Sequence, residues 1–312
     1  PTPSALTVNV NASVDALTLT VNAEGVGATD AADLVALNAD TSEAISLDAG
    51  LTSIQGLVSE LKSIYVTAAS DYAGEGDETI TLDDAEGTAL SASDLSAIGG
   101  ATSGTVTVSN AVNISGTVSQ INDALVTADS KVTISGSTNV TATDVDGSSD
   151  LSSVNPGGTL TGQLANGVNI SANSNLGTVD NFSLNTNASV TMTIAQHNVI
   201  SAADGANTVT IFNAGTVTGL STVESYNLAD GANFFAMAAG GQTVVGGTGV
   251  DNITGGTGAD NITGGEGNDV VSAGSGGDVI TGGAGNDTLT GGDGGDRFVF
   301  ASGDTSSTVA DE

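Results

Sequence analysis

A chain of 312 residues with 36 acidic and 3 basic side chains carries a formal charge of -33, which argues against nucleic acid and anionic membrane surfaces as partners, since almost nothing in it neutralises phosphate. Charged residues make up 12% of the chain and hydrophobic ones 38%, so the acids are diluted in an apolar, glycine-rich, β-forming background that favours a folded protein over a disordered polyanion. The absence of cysteine excludes disulfides, zinc-thiolate sites and thiol nucleophiles, and no apolar run approaches the ~20 residues of a membrane span.

The opening "PTPSALTVNV" has neither the basic nor the apolar region of a signal peptide, so export is expected from a trimmed chain or without an N-terminal signal. Residues 1–154 are predicted to be a repetitive, β-rich region with short helices. Three stretches, "AADLVAL", "ASDLSAI" and "SSDLSSV", place Asp33-Leu34, Asp94-Leu95 and Asp150-Leu151 in register. Each precedes an alternating segment, which predicts copies of roughly 55 to 60 residues. Between them, "SIQGLVSELKSIY" sets Ile54, Leu57, Val58, Leu61 and Ile64 at helical spacing, and Thr117 with Gln120 reads as a capping box.

From 155 to 245 short alternating strands separated by Asn, Gly and Asp turns take over. The apolar pairs Val190/Met192, Val209/Ile211 and Tyr226/Leu228 recur every 17 to 19 residues. That interval is one rung of a parallel β-solenoid, each rung hydrogen-bonding to the next about 4.8 Å away. The segment "MAAGGQTVV" (237–245) reads as a degenerate nonapeptide with Gln242 where an aspartate would stand, joining the solenoid to a C-terminal repeat array.

Residues 246–299 hold six nonapeptides: GGTGVDNIT, GGTGADNIT, GGEGNDVVS, AGSGGDVIT, GGAGNDTLT and GGDGGDRFV. The second, fourth and sixth columns are always Gly, Gly and Asp, and the eighth is always apolar: Ile253, Ile262, Val271, Ile280, Leu289 and Phe298. Glycines at this spacing permit a tight turn whose carbonyls converge, and the last three residues form a minimal strand with one inward side chain. Two copies make one coil, so the aspartates stack as Asp251/Asp269/Asp287 and Asp260/Asp278/Asp296. Carboxylates stacked one rung apart repel unless a hard cation lies between them. Oxygen-only, irregular coordination of that kind suits Ca²⁺ and not Mg²⁺. Four same-side pairs predict four well-formed sites. Six inward side chains offset little of the conformational entropy of so long a segment, so the roll is expected to fold as it binds metal.

The tandem GGxGxDxUx pattern resembles the hemolysin-type calcium-binding repeat of the RTX family, a parallel β-roll. The resemblance implies Ca²⁺ held by the six aspartates with carbonyls of the second and fourth glycines: Gly247, Gly249, Gly256, Gly258, Gly265, Gly267, Gly274, Gly276, Gly283 and Gly285. It also implies type I secretion of an unfolded chain that folds in extracellular calcium. The secretion segment such proteins usually carry beyond the roll is not found in the tail, residues 300–312. Residues 155–245, with "TVESYNLADG", resemble bacterial S-layer and surface-matrix proteins.

Other acids are concentrated in "DYAGEGDETITLDDAEG", which holds Asp71, Glu75, Asp77, Glu78, Asp83, Asp84 and Glu86, and in "TDVDGSSD", which holds Asp144, Asp146 and Asp150. Solvated turns are the commoner reading of such stretches, with further calcium sites the sharper one. His197 is the only histidine, and neither HExxH nor GxSxG occurs, so a structural role for His197 and no catalytic activity are expected. The overall expectation is a mainly β protein, a parallel β-solenoid with a few short helices in its N-terminal half, running into a C-terminal calcium-binding β-roll. Its expected role is that of a secreted, calcium-stabilised structural protein of the bacterial cell surface, self-associating into a lattice or fibre. A glycan- or ice-binding module of an adhesin, with cell-surface polysaccharide as partner, is the alternative.

Overall fold

A computed structural model describes residues 7–13, 16–22, 29–40, 44–47, 51–73, 76–127, 130–134, 136–301, 304 and 308–310. Two compact units emerge: one comprises residues 1–143, 150–161 and 175–179, the other 144–149, 162–174 and 180–312. Both are built from parallel strands coiling rung on rung, the predicted β-solenoid.

In the first unit an antiparallel hairpin, Thr7–Ser13 with Ala16–Asn22, precedes the parallel ladders. Strands Ser53–Gly56, Thr79–Leu82, Val106–Val108 and Val132–Ile134 stack in register, bringing Ile54, Ile80, Val106 and Val132 into one column. The interval along that column is 26 residues, so the Asp-Leu recurrence at roughly twice that length spans two rungs, not one. Ala89–Ser91, Asn113–Gly116 and Thr138–Val145 form a second ladder. Helices Ala31–Ala39, Val58–Lys62, Ala92–Ala101 and Val118–Leu125 bury Leu34, Leu61, Leu95, Ile98 and Ile121 in the core.

The Thr117 capping box forms as expected: Gln120 N–H donates to Thr117 Oγ1 at 3.2 Å, and Thr117 N–H donates to Gln120 Oε1 at 2.9 Å. One helical expectation is corrected in part, and the three Asp-Leu stretches differ in structure. Residues 53–56 are extended, because Ile54 pairs with Ile80 one rung on, and its distance from Leu57 and Val58 only mimics helical spacing; the α-helix covers only 58–62, followed by a wider π-type turn at 63–67. The third Asp-Leu stretch forms turns, since the Asp150 carboxylate accepts from the backbone and hydroxyl of Ser152 and so competes with helical bonding. Leu151 is buried all the same.

In the second unit the eight-stranded sheet aligns Val190, Val209, Tyr226, Val244, Ile262, Ile280 and Phe298, a rung of 17 to 19 residues. The six-stranded sheet aligns Val217, Phe235, Ile253, Val271 and Leu289. Odd copies of the nonapeptide thus feed one sheet and even copies the other, as the eighth column predicts. These inward residues are buried, apart from the half-buried Phe298 at the far end. Thr308–Ala310 adds one further strand beside Thr288–Thr290.

Candidate metal centre

The turns of the roll bring the aspartates into two columns. In one, Asn233 N–H donates to Asp251 Oδ1 at 2.9 Å, Asp251 N–H to Asp269 Oδ1 at 2.8 Å, and Asp269 N–H to Asp287 Oδ1 at 2.9 Å. In the other, Gln242, Asp260 and Asp278 each donate to the carboxylate one rung on, Asp260, Asp278 and Asp296, at 2.8 Å. One oxygen of each acid is therefore tied to the main chain, which fixes its rotamer. The second oxygen is the informative one. Oδ2 of Asp251, Asp269, Asp278 and Asp296 is buried with no hydrogen-bond partner, whereas Oδ2 of Asp260 accepts from Gly256 N–H at 3.2 Å.

A buried carboxylate oxygen without a donor is costly. The titration of Asp251 and Asp269 reflects that cost. Burial pushes Asp269 up to about 6, only partly eased by the Asp251 N–H, and the charges of Asp251 and Asp287 push the same way. Burial also raises Asp251 and Asp260. No basic side chain relieves Asp251, Asp260, Asp269, Asp278 or Asp296, because the one ion pair among the described residues is Lys62–Asp94. Nor do three or more acidic or histidine side chains converge on a point among those residues. At most two carboxylates serve each site, so main-chain oxygens must supply the rest. Orphaned oxygens, hard donors and irregular geometry fit Ca²⁺.

The glycines make the columns possible. Gly247, Gly249, Gly258, Gly265, Gly267, Gly274, Gly276, Gly283 and Gly285 all have positive φ; Gly256 does not. The Gly247 carbonyl accepts from Glu266 N–H at 2.9 Å and the Gly256 carbonyl from Ser275 N–H at 3.1 Å, so second-column carbonyls also join turn to turn. Their assignment as calcium ligands is a proposal that rests on this placement. The first column, given no role from sequence, has one here: a Cβ on Gly246, Gly264 or Gly291 would collide with Oδ2 of Asp251, Asp269 or Asp296. Asn233 also escaped the sequence reading. The signals were its place 18 residues before Asp251, with Gly231 and Phe235 in the fourth and eighth columns.

In the other acidic stretches several carboxylates accept structural hydrogen bonds, while the buried Glu78 Oε1 has no donor. Asp84 Oδ2 accepts from Val58 N–H at the start of its helix, and Glu78 Oε2 accepts from Tyr65 Oη and Gly76 N–H. Asp146 and Asp150 are held below the usual carboxylate range by the Ser148 and Ser152 hydrogen bonds. Glu75 lies outside the described residues. His197 is buried, its Nε2 3.1 Å from the Tyr226 hydroxyl, and burial lowers its pKa. Tyr226, pushed up to about 12 by burial, accepts from Leu220 N–H at 2.8 Å.

Fold and site together define a calcium-binding β-solenoid. Its C-terminal coil carries RTX repeats: residues 245–280 and 272–306 match the family model described as the RTX calcium-binding nonapeptide repeat (4 copies). No curated protein and no solved structure matches the chain.

Proposed function

We propose that the protein is a secreted structural component of a bacterial surface that assembles with copies of itself into a lattice or fibre once calcium has folded its roll. Proteins with RTX repeats are typically secreted, and no helix among the described residues is long and apolar enough to cross a membrane. The observation that carries the reading is the placement of charge. On the six-stranded sheet of the second unit, the outward column Thr216, Phe234, Asn252, Val270, Thr288 contains no charge, and Phe234 is 57% exposed. The outward columns of the eight-stranded sheet are likewise uncharged from Ser189 to Val279 and from Thr191 to Thr281, with charge at Arg297 and, where one strand runs into its turn, at the exposed Glu266.

A chain of charge -33 repels its own copies except where such faces meet. Rungs ~4.8 Å apart make a face far smaller than the ~800 Å² per partner of a stable interface, so one contact is weak and only an array accumulates stability. Calcium titration followed by circular dichroism and light scattering tests this. Folding is expected to precede scattering, and Phe234→Glu to fold at the same calcium concentration without scattering. A wild-type protein that stays monomeric in millimolar calcium refutes assembly.

The hydroxyl-rich neighbouring column, with Thr218, Thr254 and Ser272, favours a second reading, the glycan- or ice-binding module. Such a module stays monomeric and is retained on a glycan array or an ice surface. No catalytic role is proposed, because the single histidine is buried against Tyr226; turnover of a polysaccharide or ester by purified protein would overturn that.

A further inference from the structure

Asn233 stands where the turns below it carry aspartate, and its side-chain nitrogen donates to three oxygens. They are the carbonyls of Ala229 at 2.8 Å and Gly231 at 3.0 Å, and Asp251 Oδ1 at 2.8 Å. Ala229 and Gly231 occupy the second and fourth columns of that turn, and Asp251 is the next acid in the column. The amide thus gathers two carbonyls from the same columns that the roll's own turns offer a cation, together with Asp251 Oδ1, the oxygen already tied to Asn233 N–H, while Asp251 Oδ2 has no donor. Three acceptors around one nitrogen fix the amide's orientation, because its oxygen would be repelled there. Oδ1 instead accepts from Gly215 N–H at 3.3 Å. Asn233 is 1% exposed, so water does not compete for these oxygens.

The second column is closed in a similar way. Gln242 Nε2 donates to the carbonyls of Leu220 at 2.9 Å and Val223 at 2.6 Å, while Gln242 N–H meets Asp260 Oδ1. Both columns therefore pass from a neutral amide to a run of carboxylates at the same place in the coil.

We propose that the Asn233 amide takes the position of the cation in its own turn, so that this turn folds without metal and the column's need for calcium begins below it. An N–H pair directed at converging carbonyls and a carboxylate supplies positive potential without an ion. The metal-free turn then presents Asp251 already held by Asn233 N–H, a first rung on which the roll assembles as ions arrive. The inference depends on calcium binding by the roll and not on self-assembly.

The full-length protein, stripped of metal with a chelator, is compared with Asn233→Asp and Asn233→Ala by calorimetric calcium titration and by amide hydrogen exchange. Wild type is expected to protect residues 228–236 in chelator while residues 255–299 exchange freely. Asn233→Asp is expected to lose that protection, regain it in calcium, and bind one additional ion per chain. Asn233→Ala is expected to lose it and gain no ion. Wild-type exchange of 228–236 in chelator as fast as that of the roll would overturn the proposal, and so would an Asn233→Asp protein with wild-type stoichiometry that remains protected in chelator.

Discussion

At the scale of the residue, the orphaned aspartate oxygens decide the behaviour of the roll. Asp269 is the most instructive, since it lies between Asp251 and Asp287 and burial raises its pKa to about 6. An acid with a higher pKa folded than unfolded, where the value is about 3.9, binds its proton more tightly in the folded state. The metal-free roll therefore loses stability as pH rises from about 4 through about 6, and calcium has to displace that proton at the acidic end of the window. Calcium titrations monitored by circular dichroism are expected to show a rising midpoint as pH is lowered from neutral to below 6. Chelated protein should resist proteolysis better in acid than at neutral pH. Asp269→Asn keeps the volume and the acceptor for Asp251 N–H but removes charge from two adjacent sites. It should raise the calcium midpoint by about tenfold or more, equivalent to ~1.4 kcal/mol, and lower the calorimetric stoichiometry.

At the scale of the element, a rung is a three-residue strand followed by a turn that only particular glycines can make. Gly267 has φ 133°, and a Cβ there would land on the Gly249 carbonyl of the previous turn. Gly277 has no positive φ and nothing closer than the Gly295 carbonyl at 3.5 Å. Gly267→Ala is expected to cost upwards of ~1–3 kcal/mol in calcium-loaded urea denaturation, while Gly277→Ala leaves the midpoint nearly unchanged. The inward side chains are the other half of the rung. Ile262 is fully buried between Val244 and Ile280, so Ile262→Ala should cost about 2–5 kcal/mol in the same measurement.

Legibility differs from element to element. The nonapeptide is plain in sequence because every copy brings its own turn glycines, aspartate and core residue at fixed spacing. The turn at Asn233 is not, because Leu228 and Ala229 stand in the first two columns and Asn in the sixth, leaving only Gly231, Phe235 and the interval to Asp251 to mark it. The strand at Ser53–Gly56 is obscured for a different reason: a single inward residue, Ile54, cannot distinguish a strand from the first turn of the adjoining helix.

At the scale of the whole molecule, a charge of -33 and 3 basic residues mean that the balance of charge must come from bound or diffuse cations. Small-angle scattering in chelator and then in calcium should show the radius of gyration falling as the roll orders. That compaction should occur in dilute protein at which light scattering detects no assembly, because ion binding and coil formation are intramolecular. The expected fall would be absent if the roll were already folded without metal.

The sequence by itself determined the repeating unit, the calcium-binding character of the repeats and the coiled parallel architecture, because in a solenoid each rung meets only its neighbours and local spacing maps directly onto contacts. Only the tertiary structure decided which carboxylate oxygens lack donors, which side chain occupies the head of each column, and which outward columns stay free of charge. Those properties arise where residues one coil apart come within hydrogen-bond distance. Whether the group found there is an amide or a second carboxylate changes the electrostatics of the turn without altering the spacing that sequence displays.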